Sequence, residues 1–321
     1  MSKLSPNVRG ALSALLAFAL YASHDVIVKL LGGVYSPVQI LFFSVLLGFP
    51  FVTLMLIRDG QPGTLRPRHP WWTALRTLAA LITGFCAFYA FSVLPLAQTY
   101  AIIFAAPLLV TILSIPVLGE SVGLHRCGAV LVGLIGVLVV LRPGATELEL
   151  GHAAAMTAAF FSALGSIVVR KIGRDERSVV LLLFPMLANI IVMGCLLPFV
   201  YKPMPLLHFG GLAAVAFLAF LATSLMIAAY RAGEAAIVAP MQYSQIIWAG
   251  AFGLLFFDEV PDVLTVVGAC IIISSGLYIV FREGRRGASE NRPVSATHGR
   301  HETGTYPRVS ALLRWRSRGG K

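Results

Sequence analysis

The chain carries one membrane-length pattern twice. Its first apolar stretch, GALSALLAFALYASHDVIVKLLG, runs from Gly10 to Gly32, and GHAAAMTAAFFSALGSIVVRKIG repeats the design from Gly151 to Gly173. Both open on Gly and carry Ala at the matched positions Ala22 and Ala163. Both then give three branched residues and a cation, Lys29 or Arg170. The echo returns as VLGESV ending at Val122 against LFFDEV ending at Val260, and as Gly128 and Gly136 against Gly268 and Gly276. Duplication at this scale confines the chain to two homologous bundles that pack on each other.

The bundles belong in a bilayer. Of the 321 residues 58% are hydrophobic and only 12% charged, where a soluble domain carries about 25% charge. Too few polar groups remain to face water. A spanning helix needs roughly 20 apolar residues, and such stretches lie near 10–31, 37–57, 71–94, 96–118, 123–141, 151–170, 178–200, 206–230, 235–257 and 261–281. The expected fold is an all-α polytopic membrane protein. Its ten transmembrane helices form two inverted five-helix repeats, 10–142 and 151–282, followed by a basic, disordered cytoplasmic tail, 283–321. Five is odd, so the second copy enters the membrane with opposite orientation. Lys29 then falls at the outer end of its span and Arg170 at the inner end of its own. Glu120 falls on the cytoplasmic side and Glu259 on the outer side.

The net charge of +11 does not indicate nucleic acid. The tail from Arg282 onward nets +7, which leaves only +4 for the rest. With the N-terminus inside, the inner loops and ends hold eleven Lys/Arg and the outer loops only Arg142 and Lys202. The positive-inside rule therefore puts both termini in the cytoplasm and the protein in the cell inner membrane. The tail segment VSALLRWRSR from Val309 either rests on anionic lipid or is simply solvated. The first span resembles a signal peptide in its basic start and small residues. Its match to the sixth span argues that it is retained. Cys86, Cys127, Cys195 and Cys270 are isolated and read as packing residues. No metal cluster, phosphate-binding Walker loop or nucleophile triad occurs in the sequence, so neither an ATP-driven pump nor a hydrolase is expected, and no cofactor.

Within the spans, polar groups mark the candidate site. Asp25 is the only acid deep in a span, and a charge there is costly unless it is paired or functional. It is either a proton or substrate-cation site or the partner of Lys29, four residues on along the same helix face. His24 is expected to point elsewhere. Glu120 and Glu259 each precede a helix, where they stabilise its positive end or act as gates at the two mouths. Pro107 and Pro240 break the backbone ladders of spans four and nine. Freed backbone groups are tolerated only against protein or a water-filled cavity. Near these breaks lie Gln98, Thr99 and Tyr100, then Gln242, Tyr243, Gln245 and Trp248. They either line a cavity or join helix to helix. Tyr21, Phe85 and Tyr89 offer aromatic faces for stacking or packing. Arg76 either snorkels to the interface or binds a substrate anion. Glycines 128, 133, 136, 268 and 276 read as close-packing faces.

The stretch LPLAQTYAIIFAAPLLVTILSIPVLGE, Leu94 to Glu120, with the Gly128-to-Gly136 spacing and the second copy ending at Glu259, resembles the drug/metabolite transporter superfamily, in particular its EamA-like carriers. The second copy departs from the pattern, with Asp258 in place of Gly119 and Ile246 where Pro107 aligns. The resemblance implies a central cavity lined by spans one, three, four, six, eight and nine. That places Tyr21, Asp25, Tyr89, Gln98, Tyr100, Gln242, Tyr243 and Gln245 near the substrate, with Lys29, Glu120, Glu259 and Pro107 in gating or structural roles. The first half is also similar to uptake carriers for riboflavin or S-adenosylmethionine. The expected function is secondary transport of a small organic metabolite by alternating access, with uptake of a vitamin-like or nucleoside-like heterocycle such as riboflavin first. An exporter of amino acids or drug-like compounds is the alternative, and a non-transporting scaffold or signalling subunit the alternative of another class. The expected partners are that small molecule and the lipid bilayer. A homodimer stays open.

Overall fold

The computed structural model describes residues 6–58, 65–119, 123–142, 149–173, 175–233 and 235–285. Glu120 and the expected tail beyond Arg285 lie outside the described residues. Among them every regular element is helical: α1 (Pro6–Gly32), α2 (Pro37–Arg58), α3 (Pro70–Val93), α4 (Leu96–Ile103), α5 (Ala106–Leu118), α6 (Leu124–Leu141), α7 (Leu150–Ile172), α8 (Ser178–Val200), α9 (Leu206–Ala232), α10 (Ala235–Val238), a 3₁₀ turn (Ala239–Tyr243), α11 (Ser244–Phe257) and α12 (Val263–Arg285). The last helix therefore runs three residues past the expected start of the tail.

Seven of these stretches are long and apolar enough to cross a membrane, and Cys127–Leu141 and Val263–Ile279 are shorter apolar helices. With the interrupted stretch 235–257 they make the ten spans. Pro37 and Pro70 open their helices, where a missing N–H costs nothing. The outward faces are apolar, with Leu131, Ile191 and Leu255 all more than 60% exposed. Exposed leucine and isoleucine on this scale are stable against lipid, not water.

The two halves, α1–α6 and α7–α12, interlock. α1 packs on α9 and α3 on α7, which is the same pairing read from either copy. α2 meets α8, α4 meets α11 and α6 meets α12, so these spans pair with their own counterparts. Such reciprocity is what a two-fold relation between the copies produces. The copies also run in opposite directions. Gly32 at the end of α1 meets Ser92, and Gly151 at the start of α7 meets Val93 and Leu94. The C-terminal end of α1 and the N-terminal end of α7 therefore share one face of the bundle.

Spans four and nine are broken, as their prolines require. α4 stops at Phe104, and α5 restarts with Pro107 in its first turn. The second break, at Ala239–Tyr243, contains Pro240 and comes about one turn earlier in the repeat. This offset explains why Ile246 can align with Pro107. Gly119 and Asp258 both end their helices in the left-handed region, at φ 69° and 54°. Asp tolerates that conformation better than most non-glycine residues, so the Gly-to-Asp change keeps the same cap.

The α6–α12 crossing is a backbone contact. A Cβ on Gly136 would lie 2.9 Å from the Gly268 carbonyl oxygen, and one on Gly268 2.7 Å from that of Gly136. Gly128, expected on this face, has nothing within 4 Å of such a Cβ and takes no part in the packing. Gly268→Leu is therefore expected to cost about 1–3 kcal/mol or more by overpacking, read as a lower melting temperature of the purified protein in detergent. Gly128→Ala should leave that temperature unchanged.

Candidate functional site

A cavity of about 270 Å³ lies between the halves, walled by α1, α2, α3, α7, α8 and α9. It reaches from mid-bundle, at Tyr21, His24 and Phe88, toward the end where Arg76, Val169 and Leu181 lie. Aromatic walls come from Tyr21, Phe88, Phe161 and Phe220. The polar groups are His24, Ser44, Arg76, Thr83, Ser162, Ser166, Asn189 and Thr223. Tyr21 and Thr223 tie α1 to α9 across the wall, their hydroxyls 2.8 Å apart. Thr223 gives its own proton to the Ala219 carbonyl, so Tyr21 is the donor.

The opposite end is closed by polar ties between the halves. Lys29 Nζ lies 2.6 Å from Glu259 Oε1 and also donates to the Leu94 carbonyl. The other oxygen of Glu259 accepts the Leu96 N–H at 3.0 Å. Leu96 is the first residue of α4, so Glu259 stabilises the positive end of that helix from the other half of the molecule. The expected helix-start role is thus exerted on α4 and not on the helix Glu259 precedes. Tyr35 and His208 are 2.6 Å apart, and the Gln39 side-chain amide makes two bonds to the Lys202 backbone. Arg142 pairs with Asp262.

Between the closed end and the cavity sits a buried network. Asp25 is 1% exposed. His24 Nδ1 lies 2.8 Å from its Oδ1, and the Tyr100 hydroxyl donates to its Oδ2. Gln245 Nε2 donates to the Tyr100 oxygen at 3.4 Å. His24 also stands edge-on to Phe88, with ring centroids 6.0 Å apart. Two sequence expectations change here. Lys29 does not pair with Asp25, because Glu259 and the Leu94 carbonyl hold it at the mouth. His24 does not point away, because its ring nitrogen reaches the neighbouring carboxylate while the residue still lines the cavity.

Of the expected substrate-contacting residues, Tyr21 lines this cavity. Asp25, Tyr100 and Gln245 are brought together directly behind it. Gln98 instead lies 3.0 Å from His152 Nε2, whose other ring nitrogen accepts the Glu149 N–H in the capping box of α7. Tyr243 is buried against Phe104 and against Gly276, where a Cβ would collide with its hydroxyl. Tyr89 and Gln242 are half-buried and do not line the cavity. Phe85 is 37% exposed on the outside of α3. The cavity face of α3 is Arg76, Ala80, Thr83, Gly84 and Phe88, one residue round the helix from the aromatic pair singled out in sequence. Pro107 opens α5, and Thr111 donates to its carbonyl. Ser44, Thr83, Phe161 and Asn189 carry little sequence signal. Asn189, an amide within an otherwise apolar span after Pro185, was the readable one.

Disrupting the mouth should be measurable. Lys29→Met and Glu259→Gln are each expected to lose about 1.5–3 kcal/mol, the value of hydrogen bonds to charged groups. The double variant should lose less than their sum. Thermal unfolding of all three in one detergent gives the cycle, and strict additivity would mean that the pair is not coupled.

The model of the EamA-like transporter family matches residues 8–142 and again residues 149–281. The pseudopaline exporter CntI of Pseudomonas aeruginosa is 26% identical over 266 residues, 82% of this chain and 93% of that protein. The S-adenosylmethionine uptake transporter of Rickettsia prowazekii is 24% identical over 300 residues, 92% and 98% of the two chains. A riboflavin transporter of Vibrio cholerae is 28% identical over 284 residues, 87% and 94%. A solved crystal structure shares the fold at a TM-score of 0.59 and 19% identity, over 89% of this chain and 100% of that one. A multi-pass helical bundle with the family pattern once in each half leads to one assignment: the chain belongs to the EamA-like transporter family.

Proposed function

We propose that the protein is a secondary carrier that moves a small organic metabolite across the cytoplasmic membrane by alternating access. The observation that carries this reading is the cavity between two oppositely directed halves, extending toward one end of the bundle and separated from the other by Lys29–Glu259 and the Asp25 network. Residues 10–142 and 151–282 are the two moving units, and 283–321 a cytoplasmic tail. Arg9, Arg68, Arg170, Lys171 and Arg231 belong to the Arg76 end and Arg142 and Lys202 to the Lys29 end. This supports a cytoplasmic Arg76 end and termini, and a state closed to the outside.

The cargo is a vitamin-like or nucleoside-like heterocycle such as riboflavin, taken up by the cell. Support comes from the aromatic walls, from the uptake named for the Rickettsia prowazekii relative and from the riboflavin named for the Vibrio cholerae one. Tyr21 contacts the cargo. Asp25, Tyr100 and Gln245 act behind it, where a change in the charge of Asp25 alters the grip of α1 on α4. Export is the second reading, favoured by the exporter among the relatives. Labelled uptake against efflux in cells lacking the gene separates the two.

Asp25→Asn is expected to abolish transport in reconstituted vesicles while the protein still inserts and purifies. Near-normal uptake by that variant removes Asp25 from the mechanism. Vesicles that neither bind nor move any vitamin, nucleoside or amino acid would support a non-transporting subunit instead.

A further inference from the structure

Arg76 lies half-buried in the second turn of α3. It lines the cavity, lying against α7 where Gly165 leaves it room. A Cβ on Gly165 would already touch one guanidinium nitrogen at 3.4 Å, so a branched side chain there would crowd it. Among the described residues that line the cavity, none is acidic. A fixed cation in a pocket without a lining acid favours an anionic guest, because low dielectric strengthens the attraction that water would screen.

A second, independent observation points to a polar guest. Ser44 Oγ, Thr83 Oγ1 and Asn189 Oδ1 all belong to cavity-lining residues, are buried, and have no hydrogen-bond partner. Ser44 is 8% exposed and Asn189 6%. Buried polar atoms are nearly always paired, and leaving one unpaired is costly. These three atoms, on α2, α3 and α8, have almost no accessible surface where they stand, so a guest completes them only when their side chains turn toward the cavity. Between them and the His24 end, Phe88 and its aromatic neighbours offer flat apolar walls.

We propose that the cavity is a binding site for a small flat organic anion, a ring bearing a carboxylate or phosphate group, with Arg76 holding the anionic group and Ser44, Thr83 and Asn189 bonding its polar edge. This rests on the carrier reading and narrows its cargo to anionic rings, which leaves out riboflavin itself and uncharged nucleosides. A guanidinium presents a planar fork that matches both oxyanions. The cavity, about 270 Å³, sits at the small end of ligand pockets, which run roughly 300–1,000 Å³, and so suits a compact ring system.

The test uses the purified full chain and matched probes: nicotinate and nicotinamide, orotate and uracil, indole-3-acetate and indole-3-acetamide, uridine monophosphate and uridine. Binding is read by thermal shift, and transport by counterflow in vesicles. At least one anion should raise the melting temperature while its neutral partner does not. Carboxylate and phosphate hits tell the two oxyanion sources apart. Arg76→Gln should weaken that binding roughly 10- to 100-fold, Arg76→Lys less, and Asn189→Ala measurably. If Arg76→Gln fails to purify, Gly165→Val, which crowds the guanidinium, replaces it and should weaken the same binding. The proposal is overturned if no anion in the set binds, if neutral partners bind equally, or if Arg76→Gln binds the anion as the parent does. Neutral probes moved by the vesicles would leave the carrier reading standing while this one falls.

Discussion

In hydrocarbon a polar group must find its partner within the protein, and this rule decides where everything other than apolar helix lies. The two interrupted spans have their breaks between other helices, with Tyr100 and Tyr243 at the breaks both buried. Lys29 is satisfied by a carboxylate and a carbonyl from elsewhere in the fold. Asp25 is held by an imidazole and a phenol. The partners of Asp25 come from its own half, whereas Glu259 and Gln245 come from the other, so the polar interior is completed only once the halves have come together.

The helix pairings are reciprocal, but the cavity is not. It draws on corresponding helices of both halves yet reaches toward one end of the bundle. Lys29 corresponds to Arg170, and Arg170 belongs to the end toward which the cavity extends. The arrangement of the copies therefore puts the cavity toward one end and the Lys29–Glu259 tie at the other. In an inverted repeat, the exchange of these arrangements is what turns a pocket into a passage.

What could be read from the sequence depended on range. The spans and the duplication are properties of some twenty consecutive residues and survive in the one-dimensional pattern, as do the breaks at Pro107 and Pro240. Helix faces do not survive where a helix is apolar all round, since nothing then distinguishes the lipid side from the cavity side. Phe85 and Tyr89 were indistinguishable in kind from Gly84 and Phe88, yet only the second pair lines the cavity. Partners are harder still. Lys29 had an acid one turn away, and the structure gives it Glu259 from the other half because both residues fall at the same end of the bundle. His24 adjoins Asp25 in sequence, and its ring nitrogen turns back to the short carboxylate beside it, which adjacency alone does not reveal. The cavity hydroxyls are ordinary residues until their burial is known, whereas Asn189 stands out as an amide in an apolar span.

Glu259 is committed twice, one oxygen to Lys29 of α1 and the other to the first amide of α4. The same two helices meet again deeper in, where Tyr100 of α4 donates to Asp25 of α1. A short lever, about one helical turn long, thus connects the outermost tie to the innermost one. Pulling that carboxylate away frays the start of α4 and slackens the phenol's hold, so the membrane face and the pocket floor cannot be disturbed independently.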